Sequence, residues 1–160
     1  MPELKFADLF LNPKAYAVLG AALAYLLAAL GSSKGSGIAG QAAAGVVAEE
    51  PSRFTATMIL QALPATQAIY GFVIAFMILG KVSGVTTLEQ GLSLLFCGLP
   101  IGIVGMVSAI WQGKVATAGI HLVAKRANAL GNGIIYALMV EMFAILALVV
   151  SILMVGNVQV

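Results

Sequence analysis

A single carboxylate, Glu141, stands in the twenty-residue run from Gly133 to Ile152, which carries no other charge. Holding an ionised side chain in hydrocarbon costs about 2.5–3.5 kcal/mol even on the forgiving insertion scale, so such a residue is rarely kept for packing. Four other polar side chains could work with it: Thr66, Gln67 and Tyr70 in the stretch LQALPATQAIYGF, and Gln112 in IWQGKVATAGI. Pro64, in the first of these stretches, has no N–H, and its ring presses on the carbonyl four residues back. The helical ladder is therefore interrupted around Leu60 to Pro64, which loosens backbone carbonyls. A carboxylate, two amide oxygens, a hydroxyl and a loosened carbonyl make an oxygen-rich set with one formal negative charge. Hard cations take oxygen ligands, and one monovalent ion neutralises this set, which suits Na⁺, with Li⁺ expected to compete. A proton would need the carboxyl alone.

The elements that must position these residues are membrane helices. Of 160 residues, 61% are hydrophobic and 9% charged, against about 45–50% and about 25% in globular proteins. Apolar runs cover about 15–48, 54–80, 86–124 and 129–155, each longer than the roughly 20 residues a spanning helix needs. An all-α membrane protein with four transmembrane helices is expected, a single membrane domain over 1–160 with no room for a soluble one. The first ten residues, MPELKFADLF, mix acids with bases and do not resemble a secretory signal. The net charge of +2 shows no basic stripe for nucleic acid. Lys34, Arg53, Lys114, Lys125 and Arg126 lie in or toward the loops after the first and third helices, with Lys5, Lys14 and Lys81 on the other side. That excess makes those two loops cytoplasmic and puts both termini outside a cell membrane.

Counting along the hairpins gives depth. Gln67 follows Arg53 by 14 residues and Glu141 follows Ala127 by 14, roughly 21 Å of helix. With the second hairpin turning at residues 126–127, Gln112 lies as far before the turn as Glu141 lies after it. Gln67, Gln112 and Glu141 thus share a layer near mid-membrane, with Leu63, Thr66 and Tyr70 on or beside the same helix face as Gln67.

The two halves repeat. A shift of 82 residues lays Gly20, Gly31, Gly37 and Ile38 on Gly102, Gly113, Gly119 and Ile120, and a shift of 74 lays Leu60 on Ile134 and Gln67 on Glu141. Two tandem duplicated hairpins, 13–81 and 86–157, follow, with an amide in the first where the second has an acid. The first helix is crowded with Gly, Ala and Ser, including the GxxxG pair Gly31 and Gly35, which marks close helix approach in lipid. Within it GSGIAG matches a dinucleotide fingerprint in letters only, since no strand precedes it, and no phosphate-binding GxxxxGK[ST] exists, so no nucleotide is expected on this chain. Asn12, Ser52 and Asn128 are candidate helix caps, with Glu89 at the start of the third helix. Gln61 reads as a cross-helix hydrogen bond, Trp111 and Tyr136 as packing, Cys97 as a small buried hydrophobe and His121 as interfacial. Lys114, about 200° round the helix from Gln112, is no counter-ion for Glu141. Ser, Cys and His form no nucleophilic constellation, so a catalytic role for the chain itself is not expected.

LPATQAIYGFVIAF, IWQGKVATAGI and ALMVEMFAILALVVSIL in a duplicated four-helix chain resemble the membrane rotor (proteolipid, or K) subunits of V-type rotary ATPases, most nearly the bacterial sodium-translocating branch. The resemblance implies a homo-oligomeric ring of about ten copies, turning against a stator subunit that carries an arginine and joined to a central stalk. It implies one Na⁺ per chain, held by Glu141, Gln112, Gln67, Thr66 and the Leu63 carbonyl, with Tyr70 closing the site by a hydrogen bond to the acid. Alternatives are the same ring coupled to H⁺, and a small multidrug-type antiporter using the membrane glutamate. The antiporter has no duplicated halves and needs an aromatic pocket, whereas small and aliphatic residues flank Glu141. A purely structural membrane protein gives no reason for a Pro beside a Thr-Gln pair at the depth of the acid.

Overall fold

The computed structural model describes residues 11–160, so Lys5 and the reading of the first ten residues lie outside the described part. Helix α1 runs Pro13–Glu49, α2 Phe54–Ala62, α3 Thr66–Lys81, α4 Leu88–Lys125 and α5 Leu130–Asn157. A 3-10 turn at Leu63–Ala65 joins α2 to α3, so these two form one broken span. The four candidate membrane spans are Pro13–Glu49, Pro51–Gly84, Leu88–Lys125 and Ala127–Asn157. A helix the length of α1 reaches about 55 Å, well beyond the roughly 30 Å of hydrocarbon, so its ends stand in or past the head groups.

α1 and α4 lie against each other along most of their length, with α2 and α3 packed on α1 and α5 on α4. Small residues allow that approach. A Cβ added to Gly113 would run into the Gly35 backbone, and one on Gly31 into the Met106 backbone. Close backbone contact of this kind is how helices associate in lipid, where burial of apolar surface gives no net drive.

Some local expectations hold and others change. Asn12 caps α1, its Oδ1 accepting from Lys14 N at 3.0 Å. Ser52 does not cap: its hydroxyl donates to Glu50 Oε1 at 2.9 Å, and the span opens on a 3-10 turn at Pro51–Arg53. Asn128 makes no capping bond either, because a 3-10 turn at Ala127–Ala129 starts the fourth span. At α4 the cap is Thr87, in a capping box with Gln90, and Glu89 only occupies the first turn. At the end where α1 starts and α5 stops, Lys14 Nζ donates to Ser83 O at 3.3 Å, Lys81 Nζ to Val158 O and Gln90 Nε2 to Gln159 O at 3.0 Å.

Among the described residues the interior has two apolar clusters. Ala17, Ile74, Ile78, Leu94, Ile101 and Val155 belong to the one at the terminal end, together with Cys97, which is buried. Ala39, Leu60, Ala116, Ile120 and Val123 belong to the one toward the hairpin turns. Between them lies a layer of buried polar side chains.

Candidate functional site

The site is built around the break in the second span. Beyond Pro64 the Leu63 carbonyl receives both the backbone N–H of Thr66 and the Thr66 hydroxyl, the latter at 3.0 Å. Two residues on, the Ala68 N–H donates to Ser32 Oγ of α1 at 2.9 Å. Ser32 is buried, and it holds the backbone immediately after Gln67.

From there a chain of hydrogen bonds crosses three helices. Gln67 Nε2 donates to Gln112 Oε1 at 2.7 Å. Gln112 Nε2 donates in turn to Glu141 Oε2 at 3.1 Å and to Ala137 O at 3.2 Å. Tyr70 Oη donates to the other carboxylate oxygen, Glu141 Oε1, at 2.6 Å. Gln67 and Gln112 are fully buried and Glu141 is 4% exposed.

Four of the six residues singled out in the sequence, Gln67, Tyr70, Gln112 and Glu141, are thereby joined directly. Leu63 and Thr66 are bonded to each other on the adjoining turn. One acceptor is left over: Gln67 Oε1 is buried and has no hydrogen-bond partner among the described residues. An unsatisfied buried acceptor costs about 1–3 kcal/mol, so this oxygen is open to a bound group that donates a hydrogen bond or brings positive charge. No ion pair among the described residues involves Glu141. Lys114 Nζ sits instead 4.1 Å from the Trp111 ring centroid. No cluster of three His, Cys, Asp or Glu side chains occurs among the described residues; the oxygens near the Glu141 carboxylate are otherwise neutral, an arrangement that could hold a hard monovalent cation better than a transition metal.

Sequence reasoning misses Ser32 and Ser108, whose hydroxyl donates to Val140 O at 2.9 Å one residue before Glu141. Both lie on glycine-rich helices where a serine looks like another small packing residue, and only the spacing of Ser108, four before Gln112, gives a hint. Gln61 departs from expectation, for it lies over Gly40 and makes no cross-helix hydrogen bond among the described residues. His121, Trp111 and Tyr136 are exposed.

Comparison with known proteins gives the relatives. The family model described as the ATP synthase C subunit matches twice, over residues 19–78 and 95–154, once on each half. The V-type sodium ATPase subunit K of Enterococcus hirae is 46% identical over 142 residues, 89% of this chain and 91% of that protein. The A-type ATP synthase subunit K of Methanocaldococcus jannaschii is 38% identical over 143 residues, 89% of this chain, which spans 63% of the archaeal protein's length. The 16 kDa proteolipid of the human V-type proton ATPase is 25% identical over 139 residues, 87% of this chain and 90% of the human one. A duplicated helical hairpin matched once per half, in a chain whose four apolar helices close around a single membrane carboxylate, belongs to the ATP synthase C subunit family as a non-catalytic rotor proteolipid of the V/A-type ATPases.

Proposed function

We propose that each chain carries one Na⁺ at Glu141 and moves it across the membrane as a ring of these chains rotates, coupled to ATP hydrolysis or synthesis elsewhere in the complex. The carboxylate supplies the charge, and Gln67, Gln112, Thr66 and the Leu63 carbonyl supply neutral oxygens. The single observation that carries this reading is the buried Gln67 Oε1, without a partner among the described residues, in the layer of the acid. A proton on Glu141 would leave that oxygen unmatched, whereas a sodium ion gives it a partner. The ion also replaces the Gln67 amide hydrogen as partner of Gln112 Oε1, and the Thr66 hydroxyl turns its lone pairs inward. Tyr70 holds the carboxylate from the other side and shuts the site. The name of the E. hirae relative, a sodium ATPase subunit, supports the same cation.

Charge balance dictates the cycle. A loaded site is neutral and can face lipid, while an empty carboxylate costs about 2.5–3.5 kcal/mol there, so exchange belongs beside a stator group that compensates it. A stator arginine has the right charge for that role and stops the empty site from slipping past. An ion crossing 100 mV exchanges about 2.3 kcal/mol, so several ions must pass per nucleotide, which suits a ring of many copies on a central stalk. The chain lies in the cell membrane, its hairpin turns on the cytoplasmic side with Arg53, Lys125 and Arg126.

Carbodiimide modification of Glu141 in the detergent-solubilised ring tests the cation. Labelling is expected to be slowed by millimolar Na⁺ at constant pH, more weakly by Li⁺ and not by K⁺, and to vanish in Glu141→Gln. Protection that follows pH and ignores Na⁺ would assign the ring to protons.

A further inference from the structure

We propose that adjacent copies in the ring are joined, in the half of the membrane nearer the hairpin turns, by a hydrogen bond from the Tyr136 hydroxyl of one copy to the Gln61 side-chain carbonyl of the next. The inference rests on the ring reading and adds to it a specific polar contact between copies.

The two groups lie on opposite flanks of the four-helix unit. Tyr136 lines a groove between α4 and α5 together with Trp111, Lys114 and Ala118. Gln61 lines a groove between α1 and α2 with Gly40, Ala44 and Met58. Because α1 packs on α4, with the second span beside α1 and α5 beside α4, these grooves face away from each other. A heterologous contact that closes into a ring brings together two such different surfaces of the same chain.

Within one copy both groups lack what they need. The Tyr136 hydroxyl, the Trp111 indole N–H and the Gln61 amide have no hydrogen-bond partner among the described residues, although Tyr136 is 64% and Trp111 55% exposed on membrane-spanning helices. Polar groups facing hydrocarbon without partners cost several kcal/mol each, so bare lipid is a poor neighbour for them. One flank offers a hydroxyl donor, the other an amide acceptor.

Depth brings them level. The Leu60 side chain touches Gly133 and Gly119, which places Gln61 within about one helical turn of Tyr136 along the membrane normal. A cyclic ring has no rise from copy to copy, so groups at one depth in one copy meet the same depth in the next. Shape agrees with chemistry. Gly113 against Gly35 sets Trp111 level with the start of the Gly35–Gly40 stretch, where Gly37 has open space beside it. A large ring on one flank thus stands level with glycines and other small residues on the other.

Cross-linking tests the pairing. In a Cys97→Ala background, assembled rings carrying both Gln61→Cys and Tyr136→Cys are treated in native membranes with a short bifunctional maleimide. The expected result is a ladder of covalent multiples on a denaturing gel, absent from either single variant and from Gln61→Cys with Leu153→Cys, whose partner lies at the far end of α5. Native mass spectrometry of untreated protein reports the ring itself. Ring mass with no ladder, or with an equal ladder from the mismatched pair, overturns the pairing while leaving the ring; single-chain mass overturns the ring reading. As a milder check, Tyr136→Phe is expected to lower the dissociation temperature of the ring by several degrees, and adding Gln61→Leu to it to lower it little further. Full, independent losses from the two changes would overturn the hydrogen bond.

Discussion

Gln67 differs from other buried amides in having its two ends treated unequally: the Nε2 end is bonded to Gln112 at 2.7 Å, the Oε1 end to nothing described. A residue serving only to link helices would have no reason to bury the second end. Gln67→Leu keeps the size and removes the oxygen, so Na⁺ is expected to protect Glu141 only at concentrations about 10-fold higher or more, one hydrogen bond to a charged centre being worth about 1.5–3 kcal/mol. Titrating carbodiimide protection with Na⁺ measures it, and an unchanged midpoint would remove Gln67 from the ligand set. Tyr70→Phe separates closure from ligation. It deletes the 2.6 Å bond to the carboxylate without removing an ion ligand, so ²²Na⁺ is expected to leave solubilised rings several-fold faster; an unchanged release rate would leave Tyr70 no part in closure. The amide–acid layer is legible in sequence because depth counting needs only the constant rise of a helix. Ser32 is not, since its role depends on a neighbouring helix arriving at the Ala68 N–H, which no spacing along one chain encodes.

At the scale of elements, the second span is informative because it is not one helix. α2 stops at Ala62 and α3 starts at Thr66, and the 3-10 turn between them gathers the Leu63 carbonyl, the Thr66 hydroxyl and Gln67 onto consecutive residues. Pro64 causes this by withholding an N–H and crowding the preceding turn. Pro64→Ala is expected to let the span close into a continuous helix and to raise the thermal stability of the ring, because an interior proline costs a helix about 3 kcal/mol. The same change should weaken Na⁺ protection of Glu141, as the Leu63 carbonyl is drawn back into the ladder. A variant that gained stability and kept its Na⁺ midpoint would show the break to be irrelevant to the site. The break itself is readable from sequence, as are the four spans, whose lengths follow from hydropathy alone. The caps are less so. Ser52 and Asn128 have the right chemistry for caps, but i→i+3 turns at Pro51–Arg53 and Ala127–Ala129 open those spans instead, and turn type is decided by how tightly the two helices of a hairpin meet.

At the scale of the molecule, the two ends handle their positive charges differently. At the terminal end, Lys14 and Lys81 donate to the carbonyls of Ser83 and Val158 and are tied into the loop and C-terminal backbone. At the other end Lys125 and Arg126 stand exposed, and Arg53 is held by Glu50 at 3.1 Å. On the proposed orientation Lys125 and Arg126, which make no ion pair among the described residues, are available to the anionic cytoplasmic leaflet, where each Lys or Arg near the surface is worth about 1 kcal/mol. The margin in number of charges is small, so the orientation is best measured directly, through two exposed loop positions on opposite ends, Ser83 and Asn128. In a Cys97→Ala background, Ser83→Cys is expected to react with a membrane-impermeant maleimide in intact cells, and Asn128→Cys only after the membrane is opened. On the proposed orientation the ring presents its hairpin turns to the stalk that transmits torque from the nucleotide-binding machinery, on the side where ATP is held. Labelling of Asn128→Cys from outside would therefore overturn more than the charge count: it would place the stalk-facing turns on the side without nucleotide, and the coupling of ion passage to ATP would have to be assigned to the loop between α3 and α4 instead.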